Sequence, residues 1–287
     1  MGIGLRYQDE RHVFTECFEK NVHFLRYPLL ERTGAVRHGI STRLDGVSKG
    51  DLGTMNLSFT RGDDPKNVKE NYQRMGDALG IPPESMVCSR QTHTTNIRVV
   101  TQKDAGKGVV QDCDYTDVDG LLTCVPGICL VTFYADCVPL LFVDPVRKAI
   151  ASSHSGWRGT AARMGQVTVE AMRREFGSRP EDIVAAVGPS ICGDCYEVSE
   201  DVIQCFRDAF SKTVWNRLFY KKENGKYQLD LWKANEQVLL DAGIQKEHLA
   251  VTNLCTCCNP GLLFSHRASG GKRGNLAAFL ALKEDGR

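Results

Sequence analysis

The stretch that decides the fold covers residues 128–176 and reads ICLVTFYADCVPLLFVDPVRKAIASSHSGWRGTAARMGQVTVEAMRREF. Two short apolar runs, 128–134 and 138–143, are rich in β-branched and aromatic residues and predict buried strands. The dipeptide Asp144-Pro145 indicates a turn, because proline fixes φ and the aspartate side chain can accept bonds from the backbone ahead. A third apolar run, 149–152, follows this turn. The stretch therefore predicts a hairpin of buried strands.

The predicted hairpin brings a cysteine and a histidine together. If residues 144–147 form a four-residue loop, Cys137 lies directly opposite His154, with Cβ atoms about 4.5–5.5 Å apart. A thiolate and an imidazole at that spacing can share one metal ion, at about 2.3 Å and 2.0–2.1 Å respectively. His93 lies at a turn between two further predicted strands and is a third candidate ligand. The alternative is an inert buried cysteine and two ordinary loop histidines.

The segment after His154 predicts an anion site. Glycines punctuate residues 155–160, Thr160 is a plausible N-cap, and an apolar helical face continues to residue 176. A helix N-terminus beside Arg158 offers free N–H groups and a favourable dipole to an anion. An ordinary tight connection between a strand and a helix explains the same pattern.

Composition restricts the class of protein. The chain has 287 residues, of which 42% are hydrophobic and 25% charged, with a net charge of +1. This composition gives no reason to expect a nucleic acid or a membrane surface as partner. Twelve cysteines in a chain without an apolar signal core favour reduced thiols and metal ligands over disulfides. We therefore expect a cytoplasmic protein.

The remaining pattern predicts helices spread along the chain and strands clustered in its middle. Helices are expected after Asp64-Pro65, at 197–210, at 231–242 and from Asn275 to about residue 284. A further strand is expected at 249–254, and the acidic loop 112–119 is expected to be largely solvated. This order predicts one α+β domain of layered architecture over residues 1–287.

Three groups of residues compete as metal ligands. The first is His93, Cys137 and His154. The second, Cys192 and Cys195, is spaced like half of a structural zinc site. The third comprises the cysteines of residues 255–258, which do not read as a regular Cys-x-x-Cys pair. A four-cysteine site built from the second and third groups is therefore conceivable but not favoured.

Several motifs, in order, resemble the laccase-domain family, also called multicopper polyphenol oxidases, which includes bacterial peptidoglycan editing factors. They are Thr42-Arg43 with Asn56-Leu57, Gln91-Thr92-His93, Ala135-Asp136-Cys137-Val138-Pro139, His154-Ser155-Gly156-Trp157-Arg158-Gly159, Gly188-Pro189-Ser190-Ile191 with Cys195-Tyr196-Glu197-Val198, and Phe264-Ser265-His266-Arg267. The resemblance implies a single-domain α/β/β/α sandwich with a mononuclear His93–Cys137–His154 site that usually holds zinc. It also implies phosphorolysis of adenosine, inosine, guanosine and methylthioadenosine, together with adenosine deamination, so the expected partners are a nucleoside and phosphate.

The residue types allow a test of the copper-based family name. Seven histidines without an H-x-H pair do not suffice for a trinuclear copper cluster, so one zinc per chain is expected, with copper as the alternative. Zinc with three protein ligands and one open position can activate water. Asp136 is the candidate general base or histidine-orienting residue, and the remaining candidates are Arg158, Arg43 and Arg267 for phosphate and Asn56 for the sugar or base.

Three other functions remain open at this point. A zinc-dependent amidase acting on cell-wall precursors would use the same metal. Copper-dependent oxidation of phenols would consume dioxygen. A non-catalytic metal-binding or interaction protein would keep its fold but show no turnover.

Overall fold

The computed structural model describes residues 2–284. The strands are β1 Thr15–Glu19, β2 Val22–Arg26, β3 Val36–Ser41, β4 Met86–Cys88, β5 Ile97–Val99, β6 Gly120–Thr123, β7 Cys129–Tyr134, β8 Val138–Asp144, β9 Ala149–Ser155, β10 Val184–Val187, β11 Glu197–Val198, β12 Phe219–Lys221, β13 Tyr227–Leu229, β14 Leu249–Val251 and β15 Leu276–Leu282. The α-helices are α1 Pro28–Glu31, α2 Pro65–Leu79, α3 Trp157–Ala161, α4 Met164–Phe176, α5 Glu200–Ala209, α6 Trp215–Leu218, α7 Leu231–Asp241 and α8 His266–Ser269.

Two six-stranded sheets pack face to face between layers of helix. The first has the order β1-β2-β3-β15-β7-β4, and the second has the order β14-β10-β8-β9-β6-β5. Helix α2 covers the outer face of the first sheet, and α4 and α7 cover the outer face of the second. The predicted α/β/β/α sandwich is confirmed. A small third sheet, β11-β13-β12, lies beside α5.

The apolar run 138–143 is continuous because both faces of β8 are buried. Leu140 and Phe142 face the helices, whereas Leu141 and Val143 face the first sheet. A strand covered on both faces has no polar side to alternate with. Strand β7 belongs to the first sheet, so residues 135–137 carry the chain from one sheet to the other.

The β8–β9 hairpin forms as predicted, but its register is shifted. Asp144 pairs with Ala149, so the loop is residues 145–148, and His154 pairs with Pro139 rather than with Cys137. The Asp144 carboxylate accepts hydrogen bonds from the backbone N–H groups of residues 146 and 147, at 2.9 Å each, which places Asp144 at the end of the strand. Since the shift is by two residues, Cys137 and His154 stay on the same face as diagonal neighbours.

The helix predicted from Asn275 is wrong, because residues 276–282 form strand β15 in the centre of the first sheet. Alternate side chains of β15 enter two different cores. Leu276, Ala278 and Leu280 pack between the sheets, whereas Phe279 packs under α2. All seven residues are buried, so polar and apolar residues do not alternate along the strand as they would in a half-exposed one. The alanines in the run favour a helix on propensity alone.

The helix predicted from Thr160 is also different. Helix α3 already begins at Trp157, with Gly156 as N-cap, and ends at Ala161. Arg163 has a left-handed backbone (φ 59°) and separates α3 from α4. The helix N-terminus beside Arg158 is therefore that of α3, a short helix of five residues, and Thr160 is not its N-cap.

Other predicted helices agree more closely with the structure. Helix α2 begins after Asp64, whose side chain accepts the Lys66 N–H, and it ends at Gly80 in the left-handed region. Helix α7 matches the predicted 231–242 segment, and α5 begins three residues later than predicted, after β11. Within residues 2–284, none of the helices combines the length and apolar character that a bilayer crossing needs.

The placement of β15 predicts a large effect for its one aromatic side chain. We expect Phe279→Ala to lower the free energy of unfolding by about 3–5 kcal/mol, because it removes a fully buried ring and leaves a cavity. The control is Phe18→Ala in β1 of the same sheet, whose side chain is 58% exposed, with an expected loss of about 0.5 kcal/mol or less. Urea unfolding measures both. Equal losses would contradict a central position for β15.

Candidate metal centre

His93, Cys137 and His154 come together where the chain passes from the first sheet to the second. One ligand atom from each residue lies within 4.8 Å of the other two, and the His93 Nε2 to Cys137 Sγ distance is 3.9 Å. The two imidazole rings meet edge to face, with centroids 4.8 Å apart. His154 is buried in β9, whereas His93 is exposed in the loop between β4 and β5. The group is therefore closed on one side and open on the other.

The Asp119 carboxylate joins the two histidine segments. His154 Nδ1 lies 2.8 Å from Asp119 Oδ1, so the other ring nitrogen, Nε2, is free to act as ligand. The same carboxylate accepts the backbone N–H groups of Thr92, His93 and Thr94 at 2.8, 3.0 and 3.1 Å. Asp119 thus orients one histidine ring and holds the loop that carries the other.

Gln91 anchors the other end of the His93 loop. Its side-chain amide donates to the Phe133 carbonyl at 2.8 Å and accepts the Phe133 N–H at 2.7 Å. This pair of bonds extends the hydrogen bonding between β4 and β7 beyond the end of β4. His93 follows two residues later with a left-handed backbone (φ 67°), which turns its side chain towards Cys137.

The charges around Cys137 favour its thiolate. Burial raises the pKa of the Cys137 thiol, but the positive charge of His154 and hydrogen bonds from both histidines outweigh burial and hold the pKa below its usual value. Burial lowers the pKa of His154, whereas the Cys137 thiolate and the Asp119 hydrogen bond raise it above its usual value. Because the thiolate is the form of cysteine that binds metals, Cys137 is prepared for a metal ion, whereas His154 would release its Nε2 proton on binding one.

The residues present fit a transition-metal ion. One thiolate and two imidazoles with one open side form the donor set of a catalytic zinc site. The backbone leaves room for such a site at Gly156, where an added Cβ would lie 3.0 Å from Cys137 Sγ and 3.2 Å from His93 Cδ2. Gly156 has an ordinary φ of −70°, so the glycine is required by space and not by backbone conformation.

The open side faces a cavity of about 490 Å³. His93, Cys137 and His154 line it together with the aromatic residues Phe59, Phe133 and Tyr134. Three arginines, none of them predicted from the sequence, line the same cavity: Arg61, Arg90 and Arg273.

Arg273 is the most unusual of these cations. Burial and the nearby charge of Arg61 lower the pKa of Arg273 to about 10. Its Nε is buried and makes no hydrogen bond within the described residues. The Arg61 guanidinium donates to the carbonyl oxygens of Gly271 and Arg273 at 2.8 and 3.2 Å, which holds the two cations close together. A buried donor without a partner beside a second arginine is an arrangement suited to an anion.

The predicted residues Asp136 and Arg158 border the group but do not line the cavity. Asp136 is buried, has φ 88°, and accepts hydrogen bonds from Thr256 Oγ1 and the Arg267 N–H at 2.6 Å each. The carboxylate that orients His154 is Asp119, not Asp136. Arg158 is exposed, and its guanidinium lies 4.3 Å from the centroid of the Trp157 ring.

The three predicted substrate-binding residues are bonded within the protein. Arg43 donates to the carbonyl oxygens of Gly53 and Pro260 and lies over the Phe264 ring. The Asn56 side chain is fully buried and bonds Ser58, Asp63 and Asn275. The Arg267 guanidinium donates to the carbonyl oxygens of Cys195 and Glu197. Their binding of substrate stays a prediction.

Like the three arginines, Asp119 is not among the residues predicted from the sequence. The acidic loop 112–119 is expected to be largely solvated, but the Asp119 side chain is 0% exposed. Asp119 is buried because it lies directly before β6. Strand β6 pairs with β9 and thereby brings residue 119 beside His154. The chemistry of the predicted site indicates that such a residue is needed, because a metal-binding histidine usually donates its other N–H to a carboxylate or a carbonyl.

Residues 37–283 match the family described as multi-copper polyphenol oxidoreductase laccase. The chain belongs to this family. The purine nucleoside phosphorylase YlmD of Bacillus subtilis is 34% identical over 247 residues, which cover 86% of this chain and 88% of the relative. A prokaryotic protein of unknown organism, named adenosine deaminase RL5, is 34% identical over 75% of this chain and 82% of its own length.

Solved structures of laccase-family proteins agree with the fold. YlmD of Geobacillus stearothermophilus superposes with a TM-score of 0.87 at 34% identity, over 95% of this chain and 99% of that one. The hypothetical protein YfiH of Bacillus licheniformis gives a TM-score of 0.89 at 32% identity, over 95% and 100%. These values confirm the layered sandwich.

The geometry predicts that this laccase-family protein depends on Asp119 for metal affinity. We expect Asp119→Asn to raise the Kd for zinc by about 10- to 100-fold, because the amide cannot accept four hydrogen bonds or support the charge on the histidine ring. Competition with a chromophoric chelator measures the Kd. Asp112→Asn, an exposed position in the same acidic loop, is the control and should leave the Kd unchanged. Equal Kd values for the two variants would contradict the role of Asp119.

Proposed function

We propose that the protein is a zinc-dependent purine nucleoside phosphorylase that also deaminates adenosine. The observation that carries the proposal is that one cavity is lined both by the His–Cys–His group and by Arg61, Arg90 and Arg273. A nucleoside phosphorylase needs a place for an uncharged heteroaromatic base and a place for a dianion. The names of the relatives, purine nucleoside phosphorylase and adenosine deaminase, support the same conclusion.

The aromatic side chains suit the base. Phe59 and Phe133 are half-buried at the cavity wall, and Phe59 is fixed by stacking on the buried Tyr72 ring at 5.9 Å. A flat purine gains both apolar contact and stacking on such rings. These residues would hold the base beside the metal ligands.

The arginines suit phosphate. Arg273 and Arg61 present planar guanidinium groups that can bind phosphate oxygens in bidentate fashion. The buried Arg273 Nε would gain a hydrogen-bond acceptor on binding, which the described protein residues do not provide. The phosphate would then lie within the same cavity as the sugar of the nucleoside.

The two reactions differ in the attacking group. Phosphorolysis breaks the bond between the sugar C1′ and the base nitrogen, forms a bond between C1′ and a phosphate oxygen, and leaves the base with the electron pair and a proton. Deamination replaces the amino group at the purine C6 by a water oxygen and releases ammonia. Zinc, when bound, would supply either of two effects at its open position: a lower pKa of a coordinated water, or polarisation of a substrate atom.

Zinc is proposed over copper from the residues around the group. A trigonal His₂Cys copper site typically has a weak axial methionine, and the described residues lining this cavity include no methionine.

Asp136 would act by fixing the turn that carries Cys137, and a role for it as general base stays a prediction. Arg158, Arg43, Asn56 and Arg267 stay predicted contributors to substrate binding.

The first test is turnover of adenosine with and without phosphate, followed by chromatography. We expect adenine only when phosphate is present and inosine under both conditions. His93→Ala should form neither product and should lose about one zinc per chain. Adenine formed without phosphate, or full activity in His93→Ala, would contradict the proposal. Uptake of dioxygen with a phenol, or cleavage of a cell-wall peptide without purine turnover, would replace it by one of the alternatives.

The second test separates the phosphate site from the metal. We expect Arg273→Gln to lower kcat/KM for phosphate by about 10- to 100-fold, the loss of one charge-assisted interaction of about 1.5–3 kcal/mol. Deamination, which uses water, should change much less. Arg174→Gln, an exposed arginine paired with Glu175, is the control and should change neither rate. An equal loss of both activities in Arg273→Gln would assign Arg273 a structural role instead.

A further inference from the structure

Four cysteines from two distant parts of the chain meet at one end of the second sheet. Cys192 and Cys195 follow β10, and Cys255 and Cys258 follow β14. Strands β10 and β14 are parallel neighbours, so both loops leave the sheet at the same edge. The pairing continues past the strands, because Ser190 bridges to Cys255 and the Thr256 N–H donates to the Ser190 carbonyl at 3.1 Å.

Each loop contributes two cysteines with the same spacing. Cys192 and Cys195 are separated by two residues, and so are Cys255 and Cys258. The second pair is less evident in the sequence, because Cys257 lies between its members. Two Cys-x-x-Cys pairs are the usual ligand spacing of structural zinc sites.

The sulfur positions fit a tetrahedral ion. The four Sγ atoms all lie within 4.8 Å of one another, and Cys195 Sγ is 3.5 Å from Cys258 Sγ. A tetrahedron with metal–sulfur bonds of about 2.3 Å has sulfur–sulfur edges of about 3.8 Å. A disulfide needs about 2.05 Å, and all four residues are free thiols in the structure.

A backbone N–H group points at one of the sulfurs. The Cys192 N–H donates to Cys255 Sγ at 3.2 Å. Such a donor stabilises the negative charge that four thiolates retain around a divalent ion. The Cys195 N–H donates to the Cys192 carbonyl at 3.1 Å, which closes the turn between the two members of the first pair.

We propose that Cys192, Cys195, Cys255 and Cys258 form a structural zinc site, separate from the His93–Cys137–His154 group. Four protein ligands leave no open position, which is the feature that distinguishes a structural site from a catalytic one. Cys192 and Cys255 are buried, whereas Cys195 and Cys258 are partly exposed, so the ion can enter from the surface. The inference does not depend on the proposed reaction.

The site would fix the surroundings of the first metal group. The Ile191 N–H, next to Cys192, donates to the Asp136 carbonyl at 3.1 Å. Thr256 Oγ1, next to Cys255, donates to the Asp136 carboxylate at 2.6 Å. Asp136 directly precedes Cys137. A zinc ion that joins the two loops would therefore hold the turn that carries the thiolate ligand of the other group.

Elemental analysis of protein purified under reducing conditions tests the proposal. We expect about two zinc ions per chain in the unmodified protein and about one in Cys195→Ser/Cys258→Ser, with the same loss of one in His93→Ala. The exposed pair Cys124→Ser/Cys205→Ser is the matched control and should retain both. Cys257→Ser should also retain both, because Cys257 is not a member of the four-sulfur cluster.

A spectroscopic measurement keeps the test valid if the double variant fails to fold. His93→Ala protein loaded with cobalt(II) should show the intense charge-transfer and d–d absorption of a tetrahedral four-thiolate site. At most one zinc per chain, lost in His93→Ala, would overturn the proposal. So would a disulfide between the two loops found by mass spectrometry of the native protein, or iron in place of zinc.

Discussion

The Asp119 carboxylate is the constraint on which the candidate site depends. A carboxylate without solvent access is costly unless its oxygens are hydrogen-bonded, and this one accepts three backbone N–H groups and the His154 ring. Those four donors come from two segments that are far apart in the sequence. Because one buried anion satisfies all of them, the position of the His93 loop and the orientation of His154 are set together. The third candidate ligand, Cys137, comes from a different part of the chain.

The change of sheet between β7 and β8 supplies that third ligand. Residues 135–137 leave the first sheet and enter the second, and the left-handed backbone of Asp136 makes the turn tight. Cys137 is thereby placed at the junction of the two sheets, beside the β9 histidine. Strand β4 ends at the same junction and leads through Gln91 to His93. A sandwich of two sheets thus gathers three candidate ligands at one edge, and one side of the group stays open to the cavity.

The sequence predicts the three candidate ligands, and its resemblance to the family implies the layered sandwich, but neither predicts the residues that support the site. Cys137 and His154 could be placed together because a two-residue error in hairpin register leaves side chains on the same face. Asp119, Arg273 and the β15 strand could not be placed in this way. Each depends on contacts between distant segments: Asp119 on the pairing of β6 with β9, Arg273 on its approach to Arg61, and β15 on two cores that bury both of its faces. Local periodicity contains no information on such contacts.

The same limit explains the four cysteines after β10 and β14. Their spacing is visible in the sequence, but only the parallel pairing of the two strands shows that the loops meet. Once they meet, the buried Asp136 connects them to the other metal group, since its carbonyl and carboxylate are bonded from both loops. A closed four-thiolate site and an open His–Cys–His site have different chemical roles, because only the second leaves a position for substrate. The first would then contribute to the reaction through rigidity alone, by keeping Cys137 in place beside His93 and His154.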